Sequence, residues 1–340
     1  MSRIVTVAAA QLGPIQKAEP RSVAVERMIR LMQRAHRRGV ELVVFPELAL
    51  TTFFPRHYHA DIEQADHWFE SEMPSNETAP LFEAAARYGI GFHLGFAEIA
   101  HEADDTGRIR KRRFNTAILV SPAGDVLLKY RKVHLPGHAE HEPARRVQHL
   151  EKRYFEVGNL GFPVIRAPMG GLDAVNMGML ICNDRRWPEA WRVLGLQSVE
   201  LVALGYNTPS LNMEAPVNGR MGDGRMFEAH HLRVFHSHLS IQAGCYQNAC
   251  FAVATAKAGI EDGNELFGHS IIVNPQGEII AMAASWDDEL IVADCDLDMC
   301  ALGRTTIFAF EKHRRPEAYM RITNQVGATE PPVWKKPLGG

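Results

Sequence analysis

"GMLICNDRRWPEAW", residues 178–191, runs an apolar stretch that reads as a buried strand into Trp187-Pro188-Glu189, which reads as a helix start, and sets a cysteine at the joint. Strand passing to helix is the unit of an α/β chain, and the same pairing recurs on both sides. Upstream, residues 21–38 place Val25, Met28, Met32 and Ala35 at three- and four-residue spacings and meet Gly39, which predicts an amphipathic helix. "ELVVFPE" follows as a short β-branched strand ended by Pro46, leaving Glu47 at its tip. "PLFEAAARYG" reads as helix and "IGFHLGFAE" as strand; "FNTAILV" and "DVLLKY" are strands joined by the turn "SPAG". Downstream come "VELVALG", a helix around 230–246, "ACFAVATA" and the hairpin "HSIIVNPQGEIIAMA". The alternation predicts an α/β sandwich with largely buried sheets. "NTAILVSPAGDVLLKY" and "HSIIVNPQGEIIAMA" echo one another as strand, Pro-x-Gly turn and returning strand, a pattern that duplicated halves or any two β-hairpins would give.

Composition narrows the partners. With 37 basic and 40 acidic residues in 340, the chain has no broad positive field for nucleic acid. "RIRKRR" at 108–113 is its one basic cluster and reads as a solvated loop before a strand. Apolar residues at 46% suffice for a core without disulfides, and five cysteines, an odd number, argue for free thiols. No run approaches the ~18 apolar residues of a membrane span, and the N-terminal apolar run is too short for a signal peptide, so a soluble, cytoplasmic protein is expected. The histidine clusters "HYH", "HAEH", "HH" and "HSH" lack HExxH or CxxC context, so no metal is expected. Cys245, Cys250, Cys295 and Cys300 match no zinc spacing and read as packed thiols.

Three residues invite chemistry, each with a plainer alternative. Cys182 is a nucleophile if cations, a helix start or a base favour its thiolate, and Arg185 and Arg186 bring positive charge; otherwise it is a small buried hydrophobe. Glu47 is a carboxylate that desolvation would suit to base chemistry, or a helix-start glutamate favoured by the dipole. Lys132, in "KYRKVHLPG", could stabilise an oxyanion in a closed site, or be an exposed lysine after a strand.

Taken together, "VVFPELAL", "YRKVHLPG" and "GMLICNDRRWPEAWR", each ending a strand-like run, resemble the nitrilase (carbon–nitrogen hydrolase) superfamily from "AAAQLGPI" to about residue 325. "FPELALTTFFPR", "HLEKRYFE", "GNLGFPV" and "GYNTP" resemble its branch acting on N-carbamoyl-D-amino acids. The resemblance implies a four-layer α-β-β-α sandwich of two mixed sheets, one domain over 1–325, and no cofactor; residues 326–340 lie outside it, and their proline and glycine content reads as a C-terminal arm or tail. It implies Cys182 as nucleophile, Glu47 as general base and acid and Lys132 as oxyanion stabiliser, with His134, His149 and Glu151 in support. Arg185 and Arg186 would grip a substrate carboxylate, the plainer alternative being salt bridges to local acids such as Asp184, and Asn183, Asn207 and Thr208 would line the pocket. The implied partner is a small carboxylated carbamoyl compound, with a homodimer or homotetramer as assembly and neither nucleic acid nor membrane. The segment 209–234 is longer than the branch leads one to expect and reads as a lid or an interface insertion.

Overall fold

The computed structural model describes residues 2–104, 106–143, 148–210 and 225–334, with the backbone alone for 225–229. β1 (Ile4–Gln11), α1 (Arg21–His36), β2 (Leu42–Val44), the two-residue β3 (Phe69–Glu70), α2 (Ala79–Tyr88), β4 (Gly91–Ala103), β5 (Ile109–Val120) and β6 (Val126–Arg131) follow in order. The single turn α3 (Glu151–Tyr154) and β7 (Val164–Met169) lead to β8 (Leu172–Ile181), α4 (Pro188–Gly195), β9 (Leu201–Tyr206), α5 (Arg225–Asn248) and β10 (Phe251–Ala256). The hairpin β11 (Ala258–Glu261) and β12 (Asn264–Phe267) comes next, then β13 (Ile271–Val273), β14 (Ile279–Met282), β15 (Glu289–Asp296) and α6 (Asp298–Thr305).

One sheet is ordered β15-β1-β2-β4-β5-β6 with β3 on β4, the other β14-β13-β10-β9-β8-β7. In each, three parallel strands (β1, β2, β4; β8, β9, β10) carry an antiparallel hairpin on one side (β5–β6; β13–β14) and one antiparallel strand on the other (β15; β7). The two echoing sequence segments thus occupy equivalent places, and the halves repeat one topology.

Strand periodicity builds the layers. Val5, Val7 and Ala9 of β1 point into the cluster between the sheets, while Ala8 and Ala10 point to the cluster under α1 and α2. The inter-sheet cluster joins Val44, Ala117, Leu119 and Tyr130 to Val175, Met177 and Met179, and continues to Trp191, Leu194, Ile241 and Cys245 of α4 and α5. The α/β fold of two mixed sheets flanked by helices is therefore as the sequence implies.

Several local readings change. α1 stops at His36, with Gly39 in the left-handed region (φ +68°), and α5 begins at Arg225 rather than near 230. Most of the basic cluster lies inside β5 rather than in a loop, and Arg110, Lys111, Arg112 and Arg113 pair with Glu156, Asp66, Glu102 and Asp66. Those four charges are spent on local acids. All five cysteines are free and buried. Among the described residues no helix is long and apolar enough to cross a membrane. Residues 211–224 of the segment read as lid or insertion, and 335–340 of the arm, lie outside the described residues; 326–334 are exposed and without regular structure.

Candidate active site

β2 ends at Val44, and Phe45-Pro46 carries the chain off the sheet to Glu47. Two glycines admit this turn between neighbouring strands. A methyl group on Gly95 would stand 2.7 Å from the Pro46 carbonyl oxygen, and one on Gly205 2.5 Å from the Glu47 amide nitrogen. Glu47 is thereby packed inside, 0% exposed. Its Oε1 accepts from Lys132 Nζ and Asn115 Nδ2, both at 2.8 Å, and its Oε2 from the Asn207 backbone N–H at 3.0 Å.

Lys132 directly follows β6, and its ammonium bridges Glu47 and, at 2.6 Å, Glu151 Oε2. Burial opposes its charge, but the acidic groups around it, Glu151 and Glu47 among them, outweigh burial and raise Lys132 above the usual lysine range. Glu151 shows the converse: burial favours its neutral form, yet Lys132 and His149 hold its carboxyl below the ordinary value. His149 Nε2 lies 3.1 Å from Glu151 Oε1. Two carboxylates and an ammonium form one charged cluster beside the Cys182 thiol in a dry interior.

β8 delivers Cys182, but not straight into α4. One 3₁₀ turn, Cys182–Arg186, intervenes, and Cys182 itself takes a left-handed φ of +48°. Leu48, next to Glu47, has φ +47°. Non-glycine residues in this region cost about 1–2 kcal/mol each, and such strain gathers at functional sites. Asp184 fastens the turn: it accepts from the Ile181 N–H (3.1 Å), Tyr130 Oη (2.6 Å) and the His134 N–H (2.9 Å), and His134 Nδ1 lies 2.8 Å from Oδ1. The Cys182 thiol is pushed up by burial first and then by Glu47, with Lys132 and Arg185 pulling it down. Its sulfur donates to the Asn207 carbonyl at 3.6 Å. Asn207 therefore ties both groups, since its N–H holds Glu47 Oε2 and its Nδ2 donates to the Glu47 carbonyl at 2.8 Å.

The remaining sequence candidates divide. Arg185 is 1% exposed, over the Tyr206 ring, and donates to the Cys182 carbonyl (2.6 Å), Thr208 Oγ1 (3.0 Å) and Ser237 Oγ (3.2 Å). Arg186 is exposed and reaches Asn183 Oδ1 at 3.3 Å; repulsion from Arg185, then desolvation, lowers its pKa to about 9, so it stays charged at neutral pH. Neither arginine pairs with Asp184, which Tyr130 and His134 occupy. Asn207 and Thr208 lie inside with the cluster. His134 stands apart, stacked on Trp187 at 4.8 Å, and Asn183 Nδ2 donates to its carbonyl at 3.1 Å. Those residues, with Arg112, Lys152 and Val157, line an outer groove of about 610 Å³ that touches none of Glu47, Lys132 or Cys182. Asn115 could be read only as part of a strand, and Asp184, though it stands in the string that carries Cys182, not as the acceptor that fastens its turn, because its partners Tyr130 and His134 lie 54 and 50 residues away.

Chemically, the cluster can deprotonate a thiol, place an ammonium beside a developing oxyanion and return a proton to a leaving nitrogen. The sequence profile of the carbon-nitrogen hydrolase family matches residues 6–305. A nitrilase of Pyrococcus abyssi (strain GE5 / Orsay) is 28% identical over 94% of this chain and 100% of its own length. An N-carbamoylputrescine amidase of Solanum lycopersicum is 27% identical over 94% of each. Among solved structures, a carbon-nitrogen hydrolase from Helicobacter pylori G27 superposes with a TM-score of 0.74 at 21% identity, covering 95% of this chain and 99% of that one. A mutant amidase from Nesterenkonia sp. AN1, with an acetamide moiety added covalently at its active-site cysteine, superposes at 0.62 with 19% identity, covering 93% and 96%.

Proposed function

The chain belongs to the carbon–nitrogen hydrolase family, and from that premise we propose that it cleaves an N-carbamoyl-D-amino acid to the D-amino acid, carbon dioxide and ammonia through a covalent bond to Cys182. The supporting observation is the buried Lys132 ammonium held between Glu47 and Glu151, with the sulfur and the Glu47 carboxylate both tied to Asn207. Glu47 Oε2 takes the thiol proton as sulfur attacks the ureido carbon, and Lys132 Nζ steadies the resulting oxyanion. Ammonia departs with the proton from Glu47, leaving an S-carbamoyl thioester. Water, giving its proton to the same carboxylate, adds to that carbon, and the thiol leaves. The released N-carboxy amino acid loses carbon dioxide.

Substrate choice rests on charge. Arg186 stands at the surface against Asn183 with the buried Arg185 charge behind it, a positive setting that suits a carboxylate and opposes the free ammonium of a carbamoylated diamine. The second reading, a related ureido or amide hydrolase of β-ureidopropionase or aliphatic-amidase type, draws on the names of the relatives, which include an N-carbamoylputrescine amidase and a nitrilase. Ammonia release from both enantiomers of several N-carbamoyl amino acids, from N-carbamoylputrescine and from a neutral amide separates them. The D-carbamoyl acids should lead; release from the cation or the neutral amide alone overturns the carboxylate reading.

The proposal extends to the whole chain: one catalytic unit over 1–325, an arm over 326–340, and a homodimer or homotetramer. Leu232, Phe235, Leu239 and Tyr246 form an exposed stripe on α5 at helical spacing, a face suited to a second copy.

A further inference from the structure

Asn115 sits in the middle of β5, opposite Ala97 of β4, and is 1% exposed. It meets two members of the cluster at once. Its Nδ2 donates to Glu47 Oε1 at 2.8 Å, and its main-chain carbonyl accepts the Lys132 N–H at 2.8 Å. Building on the hydrolase reading above, we propose that Asn115 is a positioning residue that fixes the Glu47 carboxylate in one rotamer, so that Oε2 alone can exchange protons with Cys182 and the substrate.

The count of lone pairs carries the argument. Oε1 accepts two N–H donors, from Lys132 and Asn115, and is filled, whereas among the described residues Oε2 accepts the Asn207 N–H alone and retains a free pair. Lysine by itself could not enforce this, because a flexible four-carbon stem follows a carboxylate that rotates. An amide on a paired strand cannot follow. The orientation of that amide is dictated by its neighbour: turned over, it would set Oδ1 against the Glu47 carboxylate. As it stands, Asn115 Oδ1 is buried and has no hydrogen-bond partner among the described residues. A valine would satisfy a buried strand position without that orphan acceptor. The unmet oxygen is the cost of keeping the donor on Glu47.

Asn115→Ala removes the donor; Asn115→Asp keeps the volume, offers no donor while ionised and offers an O–H when protonated. For the preferred carbamoyl substrate, kcat of Asn115→Ala should fall about 10- to 100-fold with KM within about twofold of wild type. Alkylation of Cys182 by iodoacetamide, mapped by peptide mass and normalised to folded protein by circular dichroism, should slow in the same variant. Asn115→Asp should regain turnover relative to wild type as the pH is lowered from mildly alkaline to mildly acidic, and Asn115→Ala should not. Wild-type kcat and alkylation rate in both variants overturns the assignment, as does a loss that only tracks the folded fraction or an acid recovery common to both. If the wild-type protein turned over no carbamoyl or amide compound, the functional reading would fall, and the alkylation rates would still decide the role of Asn115.

Discussion

At the scale of residues, the site separates charges that the sequence presents side by side. Arg185 and Arg186 are neighbours in the chain, yet one grips the Cys182 carbonyl from within and the other stands at the surface. Substitution should therefore affect them differently. Arg186→Leu should raise KM for a carboxylated substrate about tenfold or more while sparing a neutral amide, because one charge-assisted contact is lost. Arg185→Leu should lower kcat for both substrates, since it frees the strained turn that carries the sulfur. Equal losses on both substrates from both variants would remove carboxylate recognition from Arg186. Glu47, Lys132 and Cys182 could be read in advance because each stands in a distinctive string where a strand runs out. Asn115 and Asn207 could not be read in these roles, because their bonds to Glu47 span 68 and 160 residues, and Asn207 acts through its own N–H and carbonyl, which every residue type possesses.

At the scale of elements, β4 backs the turn that presents Glu47. His93 Nδ1 lies 3.0 Å from the Phe45 carbonyl, and the Phe45 N–H donates to the His93 carbonyl at 3.0 Å. Burial lowers the His93 pKa to about 4. A group whose folded pKa is depressed contributes stability that is complete above its unfolded value, about 6.5, and is lost as the pH falls toward the folded value. The loss should thus develop below about pH 6.5 and amount to something on the order of 3 kcal/mol by pH 4. Glu98, farther along the same strand, is lowered to about 2; burial opposes this, and hydrogen bonds from Arg131, Lys129 and Thr116 overcome it, so its contribution disappears only below the usual carboxylate range. Chemical denaturation across this range should show the earlier loss in wild type and a flatter profile in His93→Gln; identical slopes would contradict it. Strands and long helices were legible through their periods of two and of three to four. The five-residue 3₁₀ turn at Cys182 was not, being too short to show a period, and Pro188 pointed only to the helix beyond it.

At the scale of the whole molecule, repetition of one strand order places the turns after β2, β6, β8 and β9 around a common interior, which is why distant sequence motifs meet. The echo between the two Pro-x-Gly hairpins falls at equivalent places of that repetition; the mutual packing of the sheets was legible only through the family resemblance, because any buried strand face reads alike. The exposed α5 stripe makes assembly testable. Light scattering should find a dimer or larger species, and Phe235→Glu with Leu239→Glu should shift it toward monomer; a wild-type monomer would contradict the paired-subunit proposal. The decisive test of the chemistry is rapid-quench mass spectrometry of protein mixed with an N-carbamoyl-D-amino acid. A transient acyl adduct should map to the peptide bearing Cys182 and vanish, together with ammonia release, in Cys182→Ala; turnover surviving in that variant, or an adduct on any other residue, would contradict the account.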